Sequence, residues 1–211
     1  MKIKKYLLAI TILVGLTPLG LHAQTTNGIF TGYLSVGNFN TYIGSSGSMA
    51  VGAYNTPSGA YSVATGYGST GTGGESVGMG SFTTAYGNYS VALGQATWAI
   101  GNKSTALGSF TIANGPYSTA MGSSTTANSY NSFAAGSLNL TNNYTGTTNW
   151  ISTDPLFELG NSTNSAARSD AYIVYKNGNS WTQGTVNAHV AVRTNASGDI
   201  SMGSFTAGTA P

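Results

Sequence analysis

Few side chains in this sequence could carry acid–base or nucleophilic chemistry. Its five carboxylates are Glu75, Asp154, Glu158, Asp170 and Asp199. Of its two histidines, only His189 lies beyond the N-terminal segment. Serine is abundant, but no G-x-S-x-G sequence lies between a strand and a helix, the context that aims the serine of a nucleophile elbow at its base. The pattern favours an ordinary surface histidine over a Ser-His-Asp triad, so we predict a protein without catalytic residues.

The sequence also lacks the patterns typical of metal-binding and phosphate-binding sites. Calcium-binding repeats carry Asp in every turn, whereas residues 48–145 contain no Asp. Glycine-rich stretches such as 66–68 and 71–74 lack the Lys-Ser/Thr and the helix that follow a phosphate-binding loop. We therefore predict no metal and no cofactor.

The N-terminus has the order of a secretory signal peptide. Lys2, Lys4 and Lys5 precede an apolar run over residues 6–16, and the small residue Ala23 follows as a cleavage site. The run is too short to span a bilayer comfortably, so we expect cleavage after Ala23 and no membrane span in the mature chain. Export to the cell surface or beyond is the predicted location.

Cleavage changes the charge of the chain, because it removes three of the seven basic residues. The mature chain then has five acidic residues and four basic ones, which gives a net charge of about −1. The basic residues are Lys103, Arg168, Lys176 and Arg193. Four scattered basic residues cannot form the patch that phosphate backbones require, so nucleic acid is excluded as a partner.

The composition favours β-structure without disulfides. Charged residues make up 6% of the chain, against roughly 25% in an ordinary globular domain. Glycine accounts for 30 of 211 residues, and cysteine is absent. Exposed helices usually carry Lys and Glu, so a chain this poor in charge is expected to form strands. Its stability must come from repetition or from oligomerisation.

A five-residue pattern, S-x-A/G-x-G, recurs every 14 residues. Its seven copies are 48–52, 62–66, 76–80, 90–94, 104–108, 118–122 and 132–136. A weaker echo, such as Thr83 to Gly87, lies seven residues into the repeat. Copies without insertions predict one structural rung per repeat, so we predict an all-β parallel solenoid with two strands per rung. The predicted divisions are 1–23 signal peptide, 24–47 N-terminal cap and degenerate rung, 48–145 repeats, and 146–211 C-terminal β cap or adaptor.

Strand alternation assigns faces to the first strand of each rung. Ser, Ala and Gly of the pattern share one face and should point into a narrow interior. The opposite face is mainly apolar, and a continuous apolar sheet surface marks an interface. The predicted oligomer core consists of Val63, Val77, Met79, Val91, Leu93, Leu107 and Met121.

The second strand has a mainly polar outer face that large side chains interrupt. Tyr86, Trp98, Ile100 and Ile112 fall on three successive rungs, which predicts one contiguous patch. Exposed aromatic side chains without a partner in the fold are typical of binding sites, so this patch is the candidate ligand site. The alternative is that the C-terminal segment covers it.

The rungs resemble the head repeats of trimeric autotransporter adhesins of the YadA-like type. The resemblance implies a left-handed parallel β-roll, a homotrimer, and attachment of a Gram-negative cell to host or environmental surfaces through a matrix protein or glycan. The family's motif usually has Asn before the Ser, whereas this chain has Asn only at Asn131. The other copies hold Gly47, Tyr61, Glu75, Tyr89, Lys103 and Tyr117 there.

The C-terminal part has a different pattern. Residues 171–176 predict a strand that runs into an Asn177-Gly178 turn, so a hairpin is expected. Four of the five acids lie after residue 145, as a solvated end structure would need in order to stop the rungs from stacking end to end. The region shows no heptads of a coiled-coil stalk. How the chain is anchored stays open.

Three functional interpretations follow from the sequence. The first is a non-enzymatic adhesin head. The second is a structural fibre, or a tail-fibre-like segment, without a ligand. The third is an ice-binding solenoid, suggested by a threonine column at Thr83, Thr97, Thr111 and Thr125, although alternation points that column inward.

Overall fold

The computed structural model describes residues 25–26, 29–30, 34–41, 47–141 and 148–184. The predicted signal peptide, His189 and Asp199 lie outside these ranges. All regular secondary structure within them is β-strand. A first pair, β1 (Thr25–Thr26) and β2 (Ile29–Phe30), is antiparallel.

Residues 34–41 and 47–137 form a parallel β-solenoid, as predicted, with a long and a short strand in each complete rung. The long strands are β3 (Leu34–Asn38), β4 (Met49–Ala53), β6 (Val63–Tyr67), β8 (Val77–Ser81), β10 (Val91–Gln95), β12 (Thr105–Ser109), β14 (Thr119–Ser123) and β16 (Phe133–Ser137). The short strands are β5 (Thr56–Pro57), β7 (Thr70–Gly71), β9 (Thr84–Ala85), β11 (Trp98–Ala99), β13 (Ile112–Ala113) and β15 (Thr126–Ala127). From β4 to β16, partners in neighbouring long strands are 14 residues apart, so each repeat is one rung.

The interior between the two sheets holds only small side chains. The alanine of the long strand and the alanine of the short strand, such as Ala92 and Ala99, are fully buried. The serine before each long strand from β4 to β16 is buried as well, and so are Thr83 and Thr97. The predicted inward direction of these columns is confirmed. The threonine column is therefore part of the core and forms no surface for ice.

The glycine that ends the S-x-A-x-G pattern does not share the inward face, and the prediction for it was wrong. Gly66 and Gly94 are exposed and have φ angles of +109° and +130°. A Cβ on Gly66 would collide with the carbonyl oxygen of Gly80 on the next rung. Regular alternation breaks here because the backbone turns toward the corner, and only glycine allows both this φ and this close approach.

Asparagines lie at both ends of the inner polar column, with Asn40 and Asn55 on the first two rungs and Asn139 on the last. Asn55 donates from Nδ2 to the carbonyl oxygens of Val51 and Gly66, and its Oδ1 accepts from the Ser69 N–H at 2.9 Å. At the other end, Asn139 accepts from the Thr126 N–H at 2.7 Å. An amide side chain suits these positions because it can donate to backbone carbonyl oxygens and accept from a backbone N–H at the same time.

The C-terminal part extends the long-strand sheet. β17 (Pro155–Asn161) pairs in parallel with β16, and the rings of Phe133 and Phe157 stack at 5.4 Å. β18 (Asp170–Tyr175) and β19 (Ser180–Thr182) follow as antiparallel strands. Gly178, at φ +86°, lies in the turn between them, so the predicted hairpin is confirmed.

The three acids of this region that the structure describes are not solvated, which corrects the prediction of a charged, solvent-exposed end. Asp154, Glu158 and Asp170 are all fully buried. Glu158 aligns with Ala134, and its Oε2 accepts from Asn139 Nδ2 at 3.3 Å. The backbone N–H of Leu140 donates to Asp170 Oδ1 at 3.2 Å. Glu158 and Asp170 thus accept hydrogen bonds from groups at the last rung of the roll.

Burial has an electrostatic consequence at Asp170. Removal from water raises the pKa of this carboxyl to about 6, and the hydrogen bond from Leu140 acts in the opposite direction. Arg168 lies nearby in sequence, but its Nη1 donates to the carbonyl oxygens of Ser124 and Asn139, at 2.9 and 3.1 Å. Arg168 thereby links the cap to the last rungs of the roll.

Candidate binding surfaces

The outer face of the long strands is mainly apolar, with Thr65, Thr105 and Thr119 among its residues. Leu93 aligns with Leu107, which in turn aligns with Met121 on the next rung. The parallel column runs from Val63 through Val77 to Val91, and these side chains are half-buried in the single chain. Met79 is 44% exposed. The seven residues predicted for the oligomer core therefore lie together on one face.

The four residues of the predicted ligand patch are neighbours on the short strands. Trp98 lies between Thr84 and Ile112 in adjacent parallel strands. Tyr86 and Ile100 occupy equivalent positions one rung apart, just after their strands. Trp98 is 47% exposed and Tyr86 53%, while Ile112 is half-buried. Within the described residues, the C-terminal strands extend the opposite sheet and do not extend the short-strand sheet that carries this patch.

Two further columns were not predicted from the sequence, and both lie at the corners where the chain turns between strands. The first corner follows each long strand, and its residues are Phe39, Tyr54, Gly68, Phe82, Ala96, Phe110, Ser124 and Leu138. The second corner precedes each long strand, and its residues are Gly47, Tyr61, Glu75, Tyr89, Lys103, Tyr117 and Asn131. All of these residues have positive φ, between +49° and +72°.

This left-handed backbone is unfavourable for most side chains at the corners. It costs an L-residue with a Cβ roughly 1–2 kcal/mol, whereas glycine adopts it freely and asparagine tolerates it. Gly47, Gly68 and Asn131 are therefore the choices with the least strain. The bulky aromatic residues in the same columns are conformational outliers.

From Tyr54 onward, the aromatic residues at both corners occur on every second rung. Tyr54, Phe82 and Phe110 do so at the first corner and are 52%, 56% and 58% exposed. At the second corner the corresponding residues are Tyr61, Tyr89 and Tyr117, which are also exposed. At the first corner the intervening residues are small and make room for the rings: a Cβ on Gly68 would lie 3.0 Å from Cδ1 of Phe82.

Additional ring contacts occur at the N-terminal end of the first corner. The Phe39 and Tyr54 rings stack at 5.0 Å. Tyr67, the last residue of β6, contacts Tyr54 and Phe82 edge to face, at 5.4 Å in each case. Four rings thus follow one another along the corner.

The two corners differ in charge. The second corner holds Glu75 and Lys103, and the Lys103 ammonium donates to the Tyr117 hydroxyl at 3.2 Å. None of the first-corner residues named above is charged. Arg168 reaches that corner only at the carbonyl of Ser124.

Two other types of site are absent from the described part of the chain. No three His, Cys, Asp or Glu side chains come together there as a candidate metal site. Among these residues there is also no helix with the length and apolar character needed to cross a membrane.

Comparison with known families identifies the repeats. The family model described as YadA head domain repeat (2 copies) matches residues 45–69, 72–97, 85–111, 94–118 and 113–139. The rungs between residues 45 and 139 are therefore YadA head repeats. A comparison with curated proteins finds no match to the chain.

Proposed function

We propose that this protein is the head of a surface adhesin, exported by a Gram-negative cell and acting by binding rather than by catalysis. The observation that carries the proposal is the YadA head repeat over residues 45–139, folded as an uninterrupted β-solenoid. Heads of this family belong to trimeric adhesins of the cell surface. The sequence order of a signal peptide at residues 1–23 agrees with export.

The proposed assembly is a homotrimer packed through the long-strand face. Leu93, Leu107 and Met79 belong to an apolar surface that spans several rungs, and a monomer would leave this surface in water. Burial of apolar surface contributes about 25 cal/mol per Å², so pairing such faces between chains is favourable. The threefold number and the left-handed winding come from the family.

The proposed ligand site is the patch of Tyr86, Trp98, Ile100 and Ile112. It lies on the short-strand sheet, so it stays on the outside when long strands pack together. Each chain would present one copy, and three copies in a trimer would raise avidity for a repetitive surface. A matrix protein or a glycan is the class of ligand that such a surface meets.

Attachment of protein-coated beads tests the proposal. Beads carrying the secreted chain should bind to immobilised extracellular-matrix proteins or glycans, and light scattering should give the mass of three chains. The structural-fibre alternative predicts an oligomer whose beads bind none of these surfaces. A stable monomer would contradict the proposed assembly.

A further inference from the structure

Three aromatic residues of the first corner form a row along the axis of the roll. Tyr54, Phe82 and Phe110 alternate with Gly68 and Ala96. Neighbouring rungs of a sheet are about 4.8 Å apart, so the backbone positions that carry these rings are about 9.5 Å apart. All three rings are more than half exposed, and the Tyr67 ring contacts Tyr54 and Phe82 between them. A row of exposed rings along the roll fits an extended ligand with a repeat of its own.

The chemistry around the row favours an uncharged, hydroxyl-rich ligand. The outward residues that precede the corner include Ser81, Gln95 and Ser109, which offer hydroxyl and amide groups beside the rings. The charged residues Glu75 and Lys103 lie at the other corner. A ligand with apolar ring faces and many hydroxyl groups would pack on the aromatic rings and hydrogen-bond to these polar side chains.

We propose that the first corner, from Tyr54 to Phe110, binds a linear, neutral, β-1,4-linked polysaccharide that lies along the roll. The C–H face of a pyranose ring packs on an aromatic ring, and every second sugar of an extended chain presents the same face. The spacing of the backbone positions that carry the rings is close to the length of an extended disaccharide unit. Trp98 lies on the rung between Phe82 and Phe110, just after Ala96, so this surface borders the ligand patch and gives the proposed adhesin a ligand class.

Affinity electrophoresis in gels containing hydroxyethyl cellulose tests the inference. We expect retardation of the secreted chain, and a loss of affinity of at least about tenfold in the triple variant Tyr54→Asn, Phe82→Asn, Phe110→Asn. Asparagine tolerates the backbone, so the variant should fold. The single variant Phe82→Gly, which copies Gly68, provides a second and milder test. The matched control, Tyr61→Asn, Tyr89→Asn, Tyr117→Asn, removes three rings from the same rungs at the other corner and should retain binding.

Three results would overturn the inference: no retardation of the unaltered chain, equal losses in both triple variants, or dissociation of the first-corner variant in light scattering. The last result would make the rings contacts between copies of the chain. This inference rests on the proposed adhesin function, but different experiments test the two proposals. Bead attachment without retardation refutes only the polysaccharide, and retardation without bead attachment refutes only the adhesin.

Discussion

Leu93 and Leu107 are direct partners on adjacent parallel strands, and both side chains lie on the outer face of the long-strand sheet. Each is half-buried in the single chain. Alternation places the fully buried Ala92 and Ala106 on the opposite side of the same strands. The sheet therefore has an inner face closed by alanine and an outer face of larger apolar side chains that the chain itself does not cover.

Replacing Leu93 and Leu107 by Asp should dissociate the proposed trimer. The substitution would bury two charges at the interface, which costs several kcal/mol per chain. Light scattering of the secreted protein measures the mass. The control is Thr70→Asp with Thr84→Asp, which places the same charges on adjacent rungs of the short-strand sheet and should leave the mass unchanged. A double leucine variant that kept its trimeric mass would contradict the predicted interface.

Deleting everything after Thr145 should cause aggregation. β17 covers the open edge of β16, and its removal exposes a parallel strand edge that can pair with another copy. The deletion also removes Arg168, which bonds to the carbonyls of Ser124 and Asn139. Turbidity and thermal melting measure the effect. A truncated protein that stayed soluble with an unchanged melting curve would show that residues 146–211 form an independent module.

Stability should decrease as the pH rises through about 6, because of Asp170. Its folded pKa of about 6 lies above the ordinary value of 3.8, so the folded chain keeps a proton that the unfolded chain has lost. This contribution is fully present below pH 3.8 and is lost above about pH 6, and it amounts to at most on the order of 3 kcal/mol.

Urea unfolding at a series of pH values checks this dependence. Asp170→Asn imitates the protonated acid and keeps an oxygen for the Leu140 N–H, so it should flatten the pH profile between 4 and 7. Glu75→Gln, at an exposed carboxyl, should leave the profile as it is. Identical profiles for the Asp170 variant and the unaltered chain would show that the carboxyl does not control cap stability.

Much of the fold follows from the repeat spacing. Seven in-phase copies fix one rung per 14 residues, and alternation then points Ser62 and Ala64 inward, as the structure confirms. The same argument failed at Gly66, because alternation applies only while the backbone stays extended. Sequence patterns of period two carry no information about the corner that follows.

The corner columns could have been found by a different signal. Gly47, Gly68 and Asn131 mark repeat positions that favour a left-handed backbone, and Tyr54 and Phe82 recur two repeats apart. The burial of Asp154, Glu158 and Asp170 could not have been predicted. Their partners include backbone groups at the open end of the roll, and these depend on where the last rung stops.

Adhesion by a Trp98→Ala variant tests the central claim most directly. Trp98 is half exposed and lies in neither core, so its loss should change the free energy of unfolding by no more than about 1 kcal/mol and leave the oligomer intact. Trp181→Ala, at a similarly exposed tryptophan of the cap, is the control. The account predicts that beads coated with the Trp98 variant no longer attach while those with the Trp181 variant do. Undiminished attachment of the Trp98 variant, or loss of attachment together with loss of the folded oligomer, would contradict it.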